Sequence, residues 1–280
     1  TPSFTVNDQK GFYHCFSTAE HGNIFDFLMK TQSLKFGEAV KQLAILAGVP
    51  IYKFSKIDEQ REKNWKQYEK ILHDYENFCF KNLQSGNFPN VISYLENRNI
   101  TEVEIEKFKI GFSDKNNFFL KSNTNNYSDE QKKMSGLFFY DEKKKIYVER
   151  FRGRIIFPIK NLYDSTIAFG GRALEKTKIS KYINSPETLF YKKGNNLYNI
   201  NNLKNLIKND QENVLVVEGF TDVISLSKHK ITNVVANQGT ALTDMQLNLV
   251  WRFSKNPVIC FDGDKSGKEA AVRAAEKLFL

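Results

Sequence analysis

The sequence predicts an α/β fold joined to an α+β one: a parallel sheet near the C-terminus, preceded by a mixed, basic α+β segment and a small hairpin module. Three observations carry this expectation. Between Val214 and Gly267 the chain reads VLVVEGFTDV, NVVANQGTALTD and PVICFDGDKSGKEAA. Each apolar run breaks off into Gly and acidic residues and is followed by a helical pattern, the rhythm of βαβαβα and a parallel sheet. From Gly136 to about Tyr198 the pattern is β instead, with LFFY, IYVERF, RIIFPI and TIAFGGR separated by DEKKK and NLYDS turns. Residues 57–85 form one long amphipathic stretch, with Trp65, Tyr68, Ile71, Leu72, Tyr75, Phe78 and Cys79 at three- and four-residue spacing.

Taken in order, residues 1–22 read as a β-hairpin, with Phe4 and Val6 leading in, Asn7 to Gly11 turning and Phe12 to Phe16 returning. Asn23 can cap a short helix IFDFLMK. A second helix follows from about Phe36 to Ala47, stopped by Gly48. The polar stretch from Tyr52 to Glu62 marks a module boundary ahead of the long helix. A helical pair comes next, Val91 to Arg98 and Glu102 to Lys109, with Thr101 and Glu104 as a capping-box signature. Residues 113–135, rich in Asn, Lys and Ser, suggest a surface loop. The expected modules are therefore 1–50, 51–88, 89–205 and 206–280, with no internal repeat.

The chain has 280 residues, enough for two compact domains. Its formal charge of +9, from 41 Lys+Arg against 32 Asp+Glu, favours a polyanionic partner, nucleic acid first. The competing reading is a solvated basic surface. Cys15, Cys79 and Cys260 lie far apart, which argues against a disulfide framework and fits a reducing cytosol. No apolar run approaches the roughly 20 residues of a membrane span. There is no signal-peptide pattern, and a chain that opens on Thr1 and stops inside a helical run at Leu280 reads as a fragment.

The chemistry concentrates at the parallel sheet. Glu218 closes the first apolar run, with Asp222 four residues on in the next helix. Asp262 and Asp264 close the third, two apart, where extended backbone would aim both to one side. Ligands of open α/β sheets bind at the carboxyl ends of the strands. Three carboxylates gathered there suit a hard divalent cation such as Mg²⁺, or Mn²⁺. Acidic residues also simply cap helix N-termini. EG-x₂-D on one strand end with DGD on another favours the metal.

A basic surface precedes this sheet. FRGRIIFPI places Arg152 and Arg154 on one side of a strand by the period of two, with Arg150 just before. Gly170–Gly171–Arg172 lets backbone approach a ligand and presents a guanidinium beside it. KYINSPE and YKKG add Lys181, Lys192 and Lys193, with Tyr182 and Tyr191 as stacking surfaces for bases. An ordinary basic sheet face, punctuated by Pro158 and Pro186, is the competing reading. In the N-terminal hairpin, His14, Cys15 and His21 fall short of a zinc ribbon. Such a ribbon needs four thiolate or imidazole ligands, and the residue three after Cys15 is Thr18, a poor zinc ligand.

TPSFTVNDQKGFYHCF with HGNIFDFL, YLENRNITEVEIEKFKIGF, RFRGRIIFPI, IAFGGR, KYINSPE and the acidic sheet occur in one order. Together they make the chain resemble the bacterial replicative DNA primases of the DnaG type, over nearly its whole length. The resemblance implies a zinc-ribbon (CHC2-type) remnant over 1–50, then a linker and long helix. The N-terminal subdomain of an RNA polymerase core would follow, and a Toprim sheet from 206. It implies a nucleotidyltransferase that makes short RNA primers on a single-stranded DNA template from ribonucleoside triphosphates, in the bacterial cytoplasm at the replication fork. A further C-terminal domain would dock on the replicative helicase.

Glu218, Asp262 and Asp264 fall on the family's catalytic metal positions, with Asp222 in support. Arg150, Arg152, Arg154, Arg172, Lys181 and Lys193 fall in its groove for template, primer and nucleotide. Lys192 and Asn195 replace the His and Arg expected at the end of that groove. Cys15 alone matches the Zn²⁺ ligand pattern, so zinc is implied for the family and not for this fragment. Other Toprim enzymes (a type IA topoisomerase or a Toprim nuclease) and a non-catalytic nucleic-acid-binding fragment are the rival readings. The β block with FGGR, and the intact Glu218, Asp262 and Asp264, weigh against them.

Overall fold

The computed structural model describes residues 3–8, 11–18, 20–50, 55–116, 118–123, 126–174, 180–206, 213–239 and 241–278. They fall into two units, Thr1–Asn64 and Trp65–Leu280.

In the first unit β1 (Phe4–Asn7), β2 (Phe12–Cys15) and β3 (His21–Asn23) form an antiparallel sheet in that order. The hairpin is as expected, although Gln9 and Lys10 of its turn lie outside the described residues. The third strand was not legible, because HGN has no apolar alternation; its register places His14 opposite His21. Asn23 does cap α1 (Ile24–Thr31). Its Oδ1 accepts from the N–H groups of Phe25 and Asp26 at 2.8 and 3.1 Å, and Asp26 returns the bond to Asn23 N–H at 2.8 Å. Then comes α2 (Phe36–Leu46). The rings of Phe4, Tyr13 and Phe27 pack with centroids 5.3–5.8 Å apart.

The second unit takes in the longer part of α3 (Lys56–Gln84), whose buried stripe of Tyr68, Ile71, Leu72, Tyr75, Cys79 and Leu83 follows the periodicity of the sequence. The pair α4 (Pro89–Glu96) and α5 (Glu102–Phe108) also forms, and Thr101 with Glu104 makes the predicted capping box. After β4 (Gly111–Ser113), the stretch read as a surface loop contains α6 (Phe118–Asn123) and α7 (Asp129–Ser135). Its polar composition hid a capping box at Ser128 and Gln131 and three buried apolar side chains, Phe119, Leu120 and Tyr127. Tyr127 and Phe119 pack with Tyr75 and Phe78 of α3 into a continuous aromatic cluster.

The β block forms as read: β5 (Phe138–Asp141) pairs with β6 (Ile146–Glu149), while β7 (Arg154–Lys160), β8 (Thr166–Ala173) and β9 (Tyr182–Asn184) join β4 in an antiparallel sheet of order β4-β7-β8-β9. Pro158 sits inside β7 without harm, because β4 pairs only with Arg154 to Ile156 and leaves Pro158 a neighbour on one side alone. Tyr68 on α3 donates its hydroxyl to the Ile167 carbonyl of β8 at 2.5 Å and so fixes the helix against the sheet.

The chain then runs through α8 (Ile200–Leu206), β10 (Leu215–Val217), α9 (Phe220–Lys228), β11 (Val234–Ala236), α10 (Asp244–Trp251), β12 (Val258–Ile259) and α11 (Lys265–Leu278). The three strands are parallel in the order β11-β10-β12, the βαβαβα unit expected, with the first strand in the centre. No described helix is long and apolar enough to cross a membrane.

Candidate active site

The two acidic loops meet because β10 lies between its neighbours. Cys260 N–H donates to the Val216 carbonyl at 2.9 Å, which carries the end of β12 alongside β10. Asp262 N–H then donates to Glu218 Oε1 at 2.9 Å, tying the loops together. Asp222 turns back to accept the Gly219 N–H at 2.9 Å, closing the capping box of α9. Burial, and then the charges of Asp262 and Glu218, raise the Asp222 carboxyl above the usual range against the lowering effect of that N–H. Three carboxylates thus crowd one place.

Asp264 is placed differently. Its Oδ1 accepts the Gly267 N–H and the Ser266 hydroxyl, each at 2.8 Å, at the start of α11. Those two bonds, the backbone one first, hold its carboxyl below the usual carboxylate range. Asp262 lines a cleft of about 670 Å³, whereas Asp264 is not among the lining residues. The expectation that both carboxylates face one side fails because the loop is already turning into the helix. The turn is tight: a Cβ on Gly267 would stand 2.1 Å from the Asp262 carbonyl oxygen.

The lining of the cleft is also cationic, with Arg98, Arg172, Lys181 and Lys193. Arg172, on β8, has its guanidinium 4.9 Å from the Tyr182 ring and 5.2 Å from that of Tyr94, and it donates to the Tyr182 hydroxyl. Lys193 stands in a 3₁₀ turn (Lys193–Asn195), and burial lowers its pKa. Lys192, beside it, is exposed. Tyr182 remains partly open as a stacking face. Tyr191 does not, being fully buried with its hydroxyl on Gln238 Oε1 at 3.0 Å.

The other arginines do different work. Arg152 lies in the turn before β7, where Gly153 has φ +67°, so the strand period does not link it to Arg154. It is exposed and donates to the Glu149 carbonyl at 3.1 Å. Arg154 is buried and reaches the carbonyls of Gly171 at 3.5 Å and Lys181 at 3.3 Å. Arg150 donates to the Gly136 carbonyl at 3.3 Å. None of the three lines the cleft. Nor does the glycine pair of β8 make room for a ligand. A Cβ on Gly170 would meet the Phe220 ring at 2.3 Å, and one on Gly171 the Phe151 ring at 2.6 Å.

Arg98, Asn184 and Gln238 line the cleft and were not singled out by the sequence. Arg98 lies just past α4 in a polar run; the available signal was its spacing of four from Tyr94, over whose ring its guanidinium sits at 5.2 Å.

Among the described residues no group of three His, Cys, Asp or Glu side chains could hold a metal ion. The donors of the cleft nonetheless match a hard cation in kind, being carboxylate oxygens of Glu218, Asp222 and Asp262. In the N-terminal unit, Cys15 has hydroxyl neighbours among the described residues. Cys15 Sγ lies 3.1 Å from Ser17 Oγ, and hydrogen bonds from Ser17 and Thr18 lower the thiol to about 7. The hydroxyl of Thr18 is a poor replacement for a thiolate.

A three-stranded parallel sheet with acidic loops at its carboxyl edge is the Toprim arrangement, and residues 212–279 match the Toprim domain family. Residues 78–204 match the N-terminal domain of the DNA primase catalytic core, and residues 1–59 match the CHC2 zinc finger. The chain belongs to the bacterial DnaG-type DNA primase family. It is 38% identical to the DNA primase of Pasteurella multocida over 99% of this chain and 48% of that protein. To the DNA primase of Clostridium acetobutylicum it is 37% identical, over 99% of this chain and 46% of that protein. The chain therefore spans about half the length of these relatives. Among solved structures it is similar to the zinc-binding and RNA polymerase domains of the Aquifex aeolicus primase, with TM-score 0.69, 30% identity and coverage of 99% of this chain and 66% of that one. A DnaG primase catalytic domain bound to ssDNA matches with TM-score 0.69 and 30% identity over 77% of this chain and 67% of that one.

Proposed function

We propose that this chain carries the nucleotidyl-transfer site of a DNA primase, which joins ribonucleotides into RNA primers on single-stranded DNA. One observation carries the reading: Glu218, Asp222 and Asp262 line a single cleft together with Arg98, Arg172, Lys181 and Lys193. In this reaction the 3′-hydroxyl of one nucleotide forms a bond to the α-phosphorus of the next, the bond to the β-phosphate breaks, and pyrophosphate leaves.

Glu218 and Asp262, with Asp264 two residues on and Asp222 in support, would hold Mg²⁺ or Mn²⁺. A cation bound there polarises phosphoryl oxygens and offsets their charge. Arg172, Lys181 and Lys193 neutralise triphosphate and template phosphates, and Tyr182 offers a face to a base. Arg154 positions Lys181 through its carbonyl. Arg150 fixes the turn at Gly136, and exposed Arg152 is available to backbone phosphates outside the cleft.

The modules 1–50, 51–88, 89–205 and 206–280 then serve as CHC2-type ribbon, linker with long helix, basic subdomain and Toprim sheet. The contact with the replicative helicase belongs to a further domain of the family, and the setting is the cytoplasm of a bacterium, at the fork. In the full-length protein Asp262→Ala is expected to abolish primer synthesis while single-stranded DNA binding persists. A normal primer yield from that variant would overturn the assignment.

A further inference from the structure

The loop after β11 holds a residue with no part in the roles assigned so far. Gln238 is only 4% exposed, yet it lines the cleft next to Glu218. Its backbone is left-handed, at φ +65°, and the loop is tied to the acidic strand on both sides: Asn237 N–H donates to the Val217 carbonyl and Gly239 N–H to the Glu218 carbonyl, each at 3.2 Å. Gln238 Oε1 accepts the Tyr191 hydroxyl at 3.0 Å, while its Nε2 has no partner among the described residues. Asn184, on β9, donates Nδ2 to the Gln238 carbonyl at 3.3 Å, and its own Oδ1 has no partner among the described residues. Which end of an amide is nitrogen is assigned from its partners. Here Tyr191 occupies one end of Gln238, so the other is open in either orientation. Leaving a buried polar group unpaired is costly, and native structures rarely do so without a reason.

We propose that Gln238 and Asn184 read the 2′-hydroxyl of a ribonucleoside triphosphate held in this cleft, and so select ribonucleotides over deoxyribonucleotides. This rests on the nucleotidyl-transfer reading above. With Gln238 Oε1 on the Tyr191 hydroxyl, the open atoms are one donor, Gln238 Nε2, and one acceptor, Asn184 Oδ1, on residues joined by the bond from Asn184 Nδ2 to the Gln238 carbonyl. A hydroxyl satisfies both at once, whereas a phosphate oxygen only accepts. Position selects the sugar. Gln238 stands one strand over from Glu218, a spacing of roughly 4.8 Å in a sheet. With the α-phosphate at the carboxylates and the triphosphate on Arg172, Lys181 and Lys193, the sugar is the next group outward and the base lies beyond it. A site built to hydrogen-bond a hydroxyl rejects the analogue lacking it, because its own polar groups are then left unpaired.

The test is the affinity of the 280-residue chain for ATP, 2′-deoxy-ATP and 3′-deoxy-ATP in Mg²⁺ buffer, by isothermal titration. ATP and 3′-deoxy-ATP are expected to bind alike and 2′-deoxy-ATP at least about tenfold more weakly, the equivalent of ~1.4 kcal/mol. Tyr191→Phe alone should keep this ratio. Gln238→Leu on the Tyr191→Phe background, which leaves no hydroxyl unpaired, should bring the ratio near one. If that double variant does not fold, Gln238→Glu keeps the acceptor for Tyr191, removes the donor and gives the same readout. Equal binding of ATP and 2′-deoxy-ATP by the unsubstituted chain, a loss with 3′-deoxy-ATP instead, or an undiminished ratio in the Gln238 variants overturns the inference and leaves nucleotidyl transfer standing. Binding of none of the three nucleotides overturns both.

Discussion

Gly170→Ala is expected to damage the fold through packing, not by blocking a ligand. The added carbon would lie 2.3 Å from Phe220 Cζ and 2.4 Å from Cε2. Carbon atoms rest about 3.5–4.0 Å apart, so the ring must give way by more than about 1 Å. Two rings hold it in place. Phe220 is 4% exposed, stacked on Phe157 at 5.2 Å and 2° and set edge-on to Tyr198 at 4.8 Å and 90°. Overpacking of this kind costs about 1–3 kcal/mol, and a ring held on two sides belongs at the upper end. For a unit of this size that is a fall in Tm of about 6–12 °C.

Thermal and urea unfolding of Gly170→Ala, Phe220→Leu and the double variant measure it. The smaller Leu should relieve the clash, giving a coupling of at least about 1 kcal/mol. Because Phe220 follows Glu218 by two residues, Gly170→Ala should also weaken divalent-cation binding. A Gly170→Ala protein within about 0.5 kcal/mol of the original, or a strictly additive double variant, refutes the packing argument. It would return Gly170 to the role of admitting a ligand.

Other predictions follow from the site and its supports. Glu218→Gln should weaken Mn²⁺ binding, followed by calorimetry, with little change in Tm, since among the described residues its carboxylate accepts just the Asp262 N–H. Lys181→Ala should lower the salt slope of single-stranded DNA binding by about 0.7, the loss of one phosphate contact. Thr101→Ala should cost about 1 kcal/mol as a lost helix cap. Burial alone would raise the Glu104 carboxyl, but the Thr101 hydroxyl and N–H more than compensate and hold it below its ordinary value. The Glu104 contribution is therefore present above the unfolded pKa and lost as pH falls through the folded one, as acid unfolding of the original and Glu104→Gln proteins will show. Glu149 behaves oppositely: burial raises its carboxyl, so its ionisation costs stability as pH rises through the folded pKa. Glu149→Gln, which keeps an acceptor for the Leu120 N–H, should gain on the original as pH rises from 4 to 8.

The sequence was most informative where one periodicity governed a whole element. The stripe from Tyr68 to Cys79 predicted α3 almost to its ends, and three apolar runs with Gly and acidic breaks predicted the parallel sheet. It was least informative where a residue's role depends on a neighbour far along the chain. Nothing near Gly170 announces Phe220, fifty residues on. Nothing in FRGR says that Arg154 turns inward to the Lys181 carbonyl, or that Gly153 breaks the period linking it to Arg152. Asp262 and Asp264 are separated by a helix start whose strength a DGD motif does not display. The cleft itself mixes both kinds. Its acids and its Arg172 and Lys181 stand in recognisable motifs, while Arg98 and Gln238 enter it only because α4 and the loop after β11 are folded beside them.

The contact between Gly267 and the Asp262 carbonyl bears on how such a motif changes over evolutionary time. In DGDKSG the glycine between the two acids has nothing within 4 Å of a notional Cβ, whereas at Gly267 that carbon would stand 2.1 Å from backbone oxygen. Gly263 is free to drift to Ala or Ser. Gly267 is not, although it does not line the cleft. A library randomised across this loop and selected for growth should return Gly267 as invariably as Asp262, so the inherited unit is six residues long rather than three.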